Sequence, residues 1–271
     1  MSGKLEAQKT WGANPTGWTS ARDFAPGTVE FFNKAREFRD NIEQPWLADV
    51  VPFHQMAGKR VLEIGFGPGY DTLKFLQAGA NYTGIDITPE NVERTKKHLA
   101  FFGYDPDVQQ GDAENLPFAD ATFDVVYSNG VLHHVPDMER AFREARRVLK
   151  PGGQFIVILY NKRSVFYAGL VLVHFLSGRF RRETLAQRRS RIETTTADAA
   201  PIVNVYSRNE LDEILRKQGF AHPEITVRKC TPEDFPGSGK FGALYRLLPS
   251  PVYNVLGRVA GWYLIARSTN I

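Results

Sequence analysis

The densest chemistry in this 271-residue chain lies in Val61-Leu62-Glu63-Ile64-Gly65-Phe66-Gly67-Pro68-Gly69-Tyr70. A short apolar run meets three glycines spaced two apart, a pattern that predicts a buried strand, a tight turn and the start of a helix. Side chains in such a turn would hold a ligand away from the main chain, so glycine leaves the backbone open to close approach. A dinucleotide fingerprint, G-x-G-x-x-G begun at Gly65, requires glycine where Tyr70 stands. The spacing is instead G-x-G-x-G, with Glu63 two residues before the first glycine. A carboxylate there suits an ammonium group better than a pyrophosphate. A glycine turn after a strand also has a purely structural use, so further signals are needed.

Two more acids supply them. Asp86 ends the predicted strand Tyr82–Asp86, placed to accept hydrogen bonds from a ribose diol, although an acid before Pro89 also suits a helix cap. Asp112, in Gly111-Asp112-Ala113-Glu114, follows the short predicted strand Val108–Gln110. Its carboxylate can accept from an adenine amino group while the Ala113 N–H meets a ring nitrogen; the plain alternative is a surface turn. Three acids at the carboxyl ends of successive strands argue for one shared ligand.

The elements that must position them alternate. Strands are predicted at Arg60–Ile64, Tyr82–Asp86, Val108–Gln110, Phe123–Ser128 and Gln154–Tyr160. The intervening helices run to Gln77, over Pro89–Phe102 and over Met138–Leu149, the last stopped by Pro151-Gly152-Gly153. This is the rhythm of an α/β, Rossmann-like parallel sheet with helices on both faces. Helices are also expected at Thr28–Asn41, Pro45–Gln55 and Arg208–Lys217, and strands at Glu224–Lys229 and near Gly261–Ala266. The chain divides into an N-terminal arm with helices (1–58), a binding core (59–161), an apolar and basic insertion (162–204), and a C-terminal part of the core (205–271). That last part carries a second insertion at about 231–259, apolar from Phe241 onward. Trp11 and Trp18 in the arm imply that it packs onto something, closing the pocket from one side.

At this point the chain resembles the class I S-adenosylmethionine-dependent methyltransferases, in the branch that includes ubiquinone and menaquinone C-methyltransferases. The matching blocks are VLEIGFGPG, YTGIDIT, GDAENLPFADATFDVVYSNGVLHHV and LKPGG, together covering about Val61–Gly153. The resemblance implies S-adenosyl-L-methionine as cofactor and S-adenosyl-L-homocysteine as product. It implies a seven-stranded sheet with the last strand antiparallel. Glu63, Gly65, Gly67 and Gly69 would bind the methionine part, Asp86 and Ile87 the ribose, and Asp112 and Ala113 the adenine. Asn129 and Val131 would line the methionine end.

A methyl group on a sulfonium is already activated, so aligning an acceptor behind it is the main task. A base is needed only where the acceptor must lose a proton. His133, His134, Tyr160 and Tyr206 are the candidates, all near the same sheet edge; bracing the loop and capping a helix are the plain alternatives for the histidines. Adjacent histidines without a carboxylate cluster do not suggest a metal. Ser128-Asn129-Gly130 stands where base-amine methyltransferases carry Asn/Asp-Pro-Pro-Tyr/Phe, and Cys230 lies far from that edge, so a small-molecule acceptor is favoured over nucleic acid. A small, apolar or amphiphilic molecule is expected: a natural product, isoprenoid, quinone or lipid precursor.

Val165–Leu176 is almost wholly apolar, and Arg179, Arg181, Arg182, Arg188, Arg189 and Arg191 follow, opposed only by Glu183. The segment is too short to span a bilayer. It reads as a buried lid or an interfacial segment, its arginines meeting solvent, a phosphorylated substrate or an anionic lipid surface. Alternatives to a plain small-molecule enzyme are therefore a peripheral membrane-associated lipid methyltransferase and a non-catalytic cofactor-binding protein. A net charge of +4 with 42% apolar and 24% charged residues describes an ordinary globular protein and disfavours wholesale nucleic-acid binding. One cysteine and an N-terminus without an apolar core fit a cytoplasmic location. Oligomeric state leaves no mark in the sequence.

Overall fold

The computed structural model describes residues 2–193, 199–235 and 243–271. Residues 194–198 of the first predicted insertion and 236–242 of the second, Phe241 among them, lie outside the described residues.

Seven strands form one sheet: β1 Arg60–Ile64, β2 Asn81–Asp86, β3 Asp107–Gln110, β4 Phe123–Asn129, β5 Leu149–Tyr160, β6 Phe220–Arg228 and β7 Tyr263–Asn270. Their order is β3-β2-β1-β4-β5-β7-β6. The first five run parallel, and β7 lies antiparallel between β5 and β6. The helices are α1 Ser2–Ala13, α2 Val29–Phe38, α3 Leu47–Val50, α4 Tyr70–Gln77, α5 Pro89–Ala100, α6 Met138–Val148, α7 Val165–Leu176, α8 Leu185–Ser190, α9 Arg208–Lys217 and α10 Ser250–Ala260.

Strand alternation divides the core in two. Phe155, Val157 and Leu159 of β5 face α6 and α9, joined by Leu62, Val126 and Leu264. Ile156, Ile158 and Tyr160 face the other way, onto Trp46, Phe75 and Tyr167. The spacing of α6 explains its placement: Met138, Ala141, Phe142, Ala145 and Val148 are buried along one stripe, with Asp137 capping the first turn through the Arg140 N–H. Ser207 and Glu210 form a reciprocal capping box at the start of α9.

Three elements depart from expectation. The arm begins as a helix, α1, although its sequence has no apolar periodicity. Pro45–Gln55 contains only the four-residue α3 and a 3-10 turn at Phe53–Gln55, because Pro52 cannot donate the hydrogen bond a continuous helix needs there. Pro151-Gly152-Gly153 does not simply separate α6 from a strand. The β4–β5 pairing jumps from Phe123↔Leu149 to Val125↔Gln154, so these residues bulge out within β5. After α2 the chain also winds one π-helical turn, Arg39–Glu43, which delivers Arg39 and Glu43 to the sheet edge.

Candidate active site

The carboxyl ends of β1, β2, β3 and β4 border one cavity, with about 1030 Å³ between its walls, open mouth included. The glycine turn forms its floor. Gly65 has φ +79, and a Cβ there would fall 2.3 Å from the Val131 Cγ2. Gly67 has φ +53 and a Cβ there would meet nothing within 4 Å. Gly65 is thus required by close packing, whereas Gly67 leaves a cradle that a side chain would fill. Gly69 is off the cavity wall. It starts α4 in a left-handed conformation, with Thr95 close beside it.

The other expected binding residues, Glu63, Gly65, Gly67, Asp86, Ile87, Asp112, Ala113, Asn129 and Val131, all line this cavity. Asp86 holds the turn itself: it accepts from the Gly67 N–H at 2.9 Å, the Thr88 N–H at 2.8 Å and the Asn91 amide at 3.3 Å. Burial raises its carboxyl above the ordinary value, against the pull of those N–H groups. Glu63 is buried and accepts from the Thr72 and Tyr82 hydroxyls, each at 2.7 Å. Burial and the nearby Asp71 carboxylate push it up to about 8, so it is a neutral acid poised to ionise when a cation arrives. Asp112 is partly engaged already, by the Glu114 N–H and by the Lys4 ammonium at 2.6 Å, which also reaches Glu114 at 2.6 Å.

Lys4 belongs to α1, which roofs the cavity with Ala7 and Trp11 on its inner side. The Gln8 amide donates to the Ile87 carbonyl at 2.9 Å, and Arg94 donates to the Trp11 and Gly12 carbonyls. Trp11 thus lines the cavity from this helix, and Trp18 packs edge-on against Phe31.

A buried network goes unnoticed at the sequence level. Asp71, in the first turn of α4, accepts from Arg39 at 2.9 Å, from the Tyr127 hydroxyl at 2.7 Å and from the Asn129 amide at 3.0 Å. Burial alone would raise the Asp71 carboxyl, but Arg39 and Lys74 hold it well below the usual range. Gln44 pairs with Asn129 in both directions. Beyond this wall lies a second chamber bordered by Trp11, Trp18, Phe38, Tyr160 and Tyr263 together with Glu43 and Glu193. Arg39, Asn129 and Gly130 line both spaces.

The four candidate bases differ in placement. His134 lines the first cavity; its Nδ1 lies 2.6 Å from the Ile202 carbonyl oxygen, and its buried Nε2 has no hydrogen-bond partner among the described residues. A carbonyl only accepts, so Nδ1 carries the proton and Nε2 presents a lone pair. Burial lowers the imidazole below its ordinary value, with Glu193 opposing, which keeps it neutral. His133 is fully buried, borders neither space, and packs at 4.0 Å from both the His134 and Tyr160 rings. Tyr160 lines the second chamber and donates to Glu193 at 2.6 Å; burial and that carboxylate hold its phenol protonated, a donor rather than a base. Tyr206 borders neither space. Its backbone pairs with Asn161 and Tyr160, and its side chain packs on the core.

Residues 62–157 match the family described as "Methyltransferase domain". The 27-O-demethylrifamycin SV methyltransferase of Amycolatopsis mediterranei is 40% identical over 111 residues, 40% of each chain. The sterol 4-C-methyltransferase of Caenorhabditis elegans is 38% identical over 98 residues, 35% of this chain and 29% of its own. The alignments therefore span well under half of these relatives. Among solved structures, geranyl diphosphate C-methyltransferase from Streptomyces coelicolor superposes over all of this chain and 99% of its own, with a TM-score of 0.60 at 14% identity. Residues 62–157 thus match a methyltransferase domain, and the chain as a whole shares the fold of that geranyl diphosphate C-methyltransferase.

Proposed function

We propose that the chain transfers the methyl group of S-adenosyl-L-methionine to a small, apolar or amphiphilic molecule held in the aromatic chamber. The observation that carries this reading is the wall shared by the two spaces, Arg39, Asn129 and Gly130, which sets a nucleoside cradle directly beside an aromatic cavity. The open space above Gly67 and the neutral, buried Glu63 fit the cofactor: Glu63 would take its ammonium group, Asp86 the ribose, and Asp112 with Ala113 the adenine. When bound, it supplies a methyl on a good sulfur leaving group, and the protein has only to orient the acceptor and exclude water. Tyr160, Tyr263 and the two tryptophans give the chamber aromatic surfaces, set among polar groups from Arg39, Glu43, Gln44 and Glu193, a lining that suits an amphiphilic molecule. Where the acceptor must lose a proton, its reacting atom has to reach past the shared wall into the cofactor cavity, where His134 Nε2 receives the proton and Glu193 steadies the resulting imidazolium. His133 acts as the packed spacer that fixes the His134 ring.

The test is homocysteine-product release with a panel of neutral and phosphorylated isoprenoids, quinones and phenols. It is paired with calorimetry of S-adenosyl-L-homocysteine on the wild type and Asp86→Ala. Loss of three hydrogen bonds at the turn is expected to weaken binding by about tenfold or more. Unchanged affinity, or preferential binding of a nicotinamide dinucleotide, would overturn the reading.

A further inference from the structure

The apolar segment and its arginines are placed where neither the cofactor cavity nor the aromatic chamber uses them. The first half of α7 is anchored: Tyr167 is buried and Phe166 packs on Trp262 at 4.7 Å. Its second half points outward, with Leu172 and Phe175 half-exposed and Leu176 78% exposed. Phe180, in the turn that follows, is exposed too and lies 5.7 Å from Phe175, so these residues form one patch. A second patch lies on α10 and the turn before it, where Leu247 is 78% exposed and Val255 63%. Both helices flank one short segment. α7 touches the turn Pro232–Asp234, and α10 seats Gly257 against the backbone of Lys229 and Cys230. No helix among the described residues is long and apolar enough to cross a membrane.

Charge identifies the occupant. Arg179, Arg181 and Arg182 border the α7 patch, all exposed and without a carboxylate partner among the described residues, and Arg181 lies over the Phe180 ring. None of the arginines of this cluster lines the cofactor cavity, the chamber or the open groove that Leu172, Phe175 and Leu176 border with Lys162 and Arg163, which argues against a phosphorylated substrate as their ligand. A second copy is disfavoured because a self-complementary contact would set these unpaired cations near their own counterparts. Exposed leucine and phenylalanine bordered by arginine is the composition of a surface that lies in a lipid interface. We infer that the outer faces of α7 and α10 dock this protein onto an anionic bilayer surface, independently of which molecule it methylates.

The test is co-sedimentation of the full chain with vesicles of phosphatidylcholine alone and of phosphatidylcholine mixed with phosphatidylglycerol, at low and high salt. An arginine beside an anionic surface is worth about fivefold in partitioning, so three predict about a hundredfold preference for the anionic vesicles, reduced by salt. Arg179→Gln/Arg181→Gln/Arg182→Gln should abolish most of that preference. Leu176→Glu/Leu247→Glu should lower binding by about tenfold or more, with a melting curve to establish that the exposed substitutions leave the fold intact; if that variant melts early, Leu247→Glu alone replaces it. Three outcomes would overturn the inference: no binding to anionic vesicles, binding that ignores the leucine substitutions, or a dimer in solution that those substitutions dissociate.

Discussion

Glu63 makes the cofactor cradle a proton-coupled site. Its carboxyl, raised to about 8 by burial and by Asp71, is about nine-tenths protonated at pH 7 in the ligand-free protein. An ammonium group beside it selects the ionised form, so binding should expel about 0.9 of a proton at that pH. Higher pH favours the carboxylate, so affinity rises with pH. The ionised fraction grows about tenfold from pH 6 to pH 7 and about fivefold more to pH 8, then levels off as Glu63 becomes fully ionised. Calorimetry of S-adenosyl-L-homocysteine at pH 7 in two buffers of different ionisation heat reads the proton release directly. Glu63→Gln keeps an acceptor for Tyr82 and Thr72 but has no proton to lose, so its release should vanish and its affinity should be flat from pH 6 to 7. Folding responds in the opposite sense. A carboxyl raised above its unfolded value supports the fold fully below that unfolded value, and the support fades as pH climbs towards 8. Ligand should therefore raise Tm more at pH 8 than at pH 6. A wild type whose affinity changes less than about twofold between pH 6 and 7, or a Gln variant with the same slope, would refute this account.

Three further expectations can be checked with single variants. Gly65→Ala should lower stability by about 1–3 kcal/mol in thermal melts because its Cβ collides with Val131, whereas Gly67→Ala should melt closer to wild type yet lose cofactor affinity in calorimetry. His134→Gln should leave S-adenosyl-L-homocysteine affinity near wild type while lowering kcat by about 10²–10⁴-fold on an acceptor that must be deprotonated. With the imidazole lowered by burial, wild-type kcat should be flat above about pH 6.5, and a rise through neutrality would contradict its assignment as the base. Arg39→Met strands the buried Asp71 carboxylate and should cost about 3–5 kcal/mol in denaturant unfolding; a loss under about 1 kcal/mol would show that the pair is not what holds this wall.

The floor of the site is legible in the sequence because local chemistry dictates it. A strand that must turn sharply beneath a ligand requires glycine, and the acids stand where each strand ends, within a few residues of the turns they brace. Nine of the ten expected binding positions accordingly border the cavity. The tenth, Gly69, shares the same spacing but stands one step back from the cavity, opening α4 in a left-handed conformation. Asp71 escapes notice because a first-turn acid usually serves the helix dipole; its partners Arg39 and Tyr127 lie 32 and 56 residues away. The roof escapes for a related reason. α1 rests on a polar cradle, so its inner residues include Lys4 and Gln8 and show none of the apolar periodicity that announces a helix over a core. The bases are only half legible, since adjacency gives His133 and His134 equal standing and only the Ile202 carbonyl separates them.

That roof has a kinetic consequence. α1 buries little besides Ala7 and Thr10 and is pinned mainly by polar links: Lys4 to two carboxylates, Gln8 to a carbonyl, Arg94 to two more. Attachments of that kind are individually weak and loosen as counter-ions accumulate. A molecule leaving the cradle past Lys4, Ala7 and Trp11 is released faster once this helix loosens. Residence time of the spent nucleoside should therefore shorten as ionic strength rises, making the first turns of the chain the clock that paces each round.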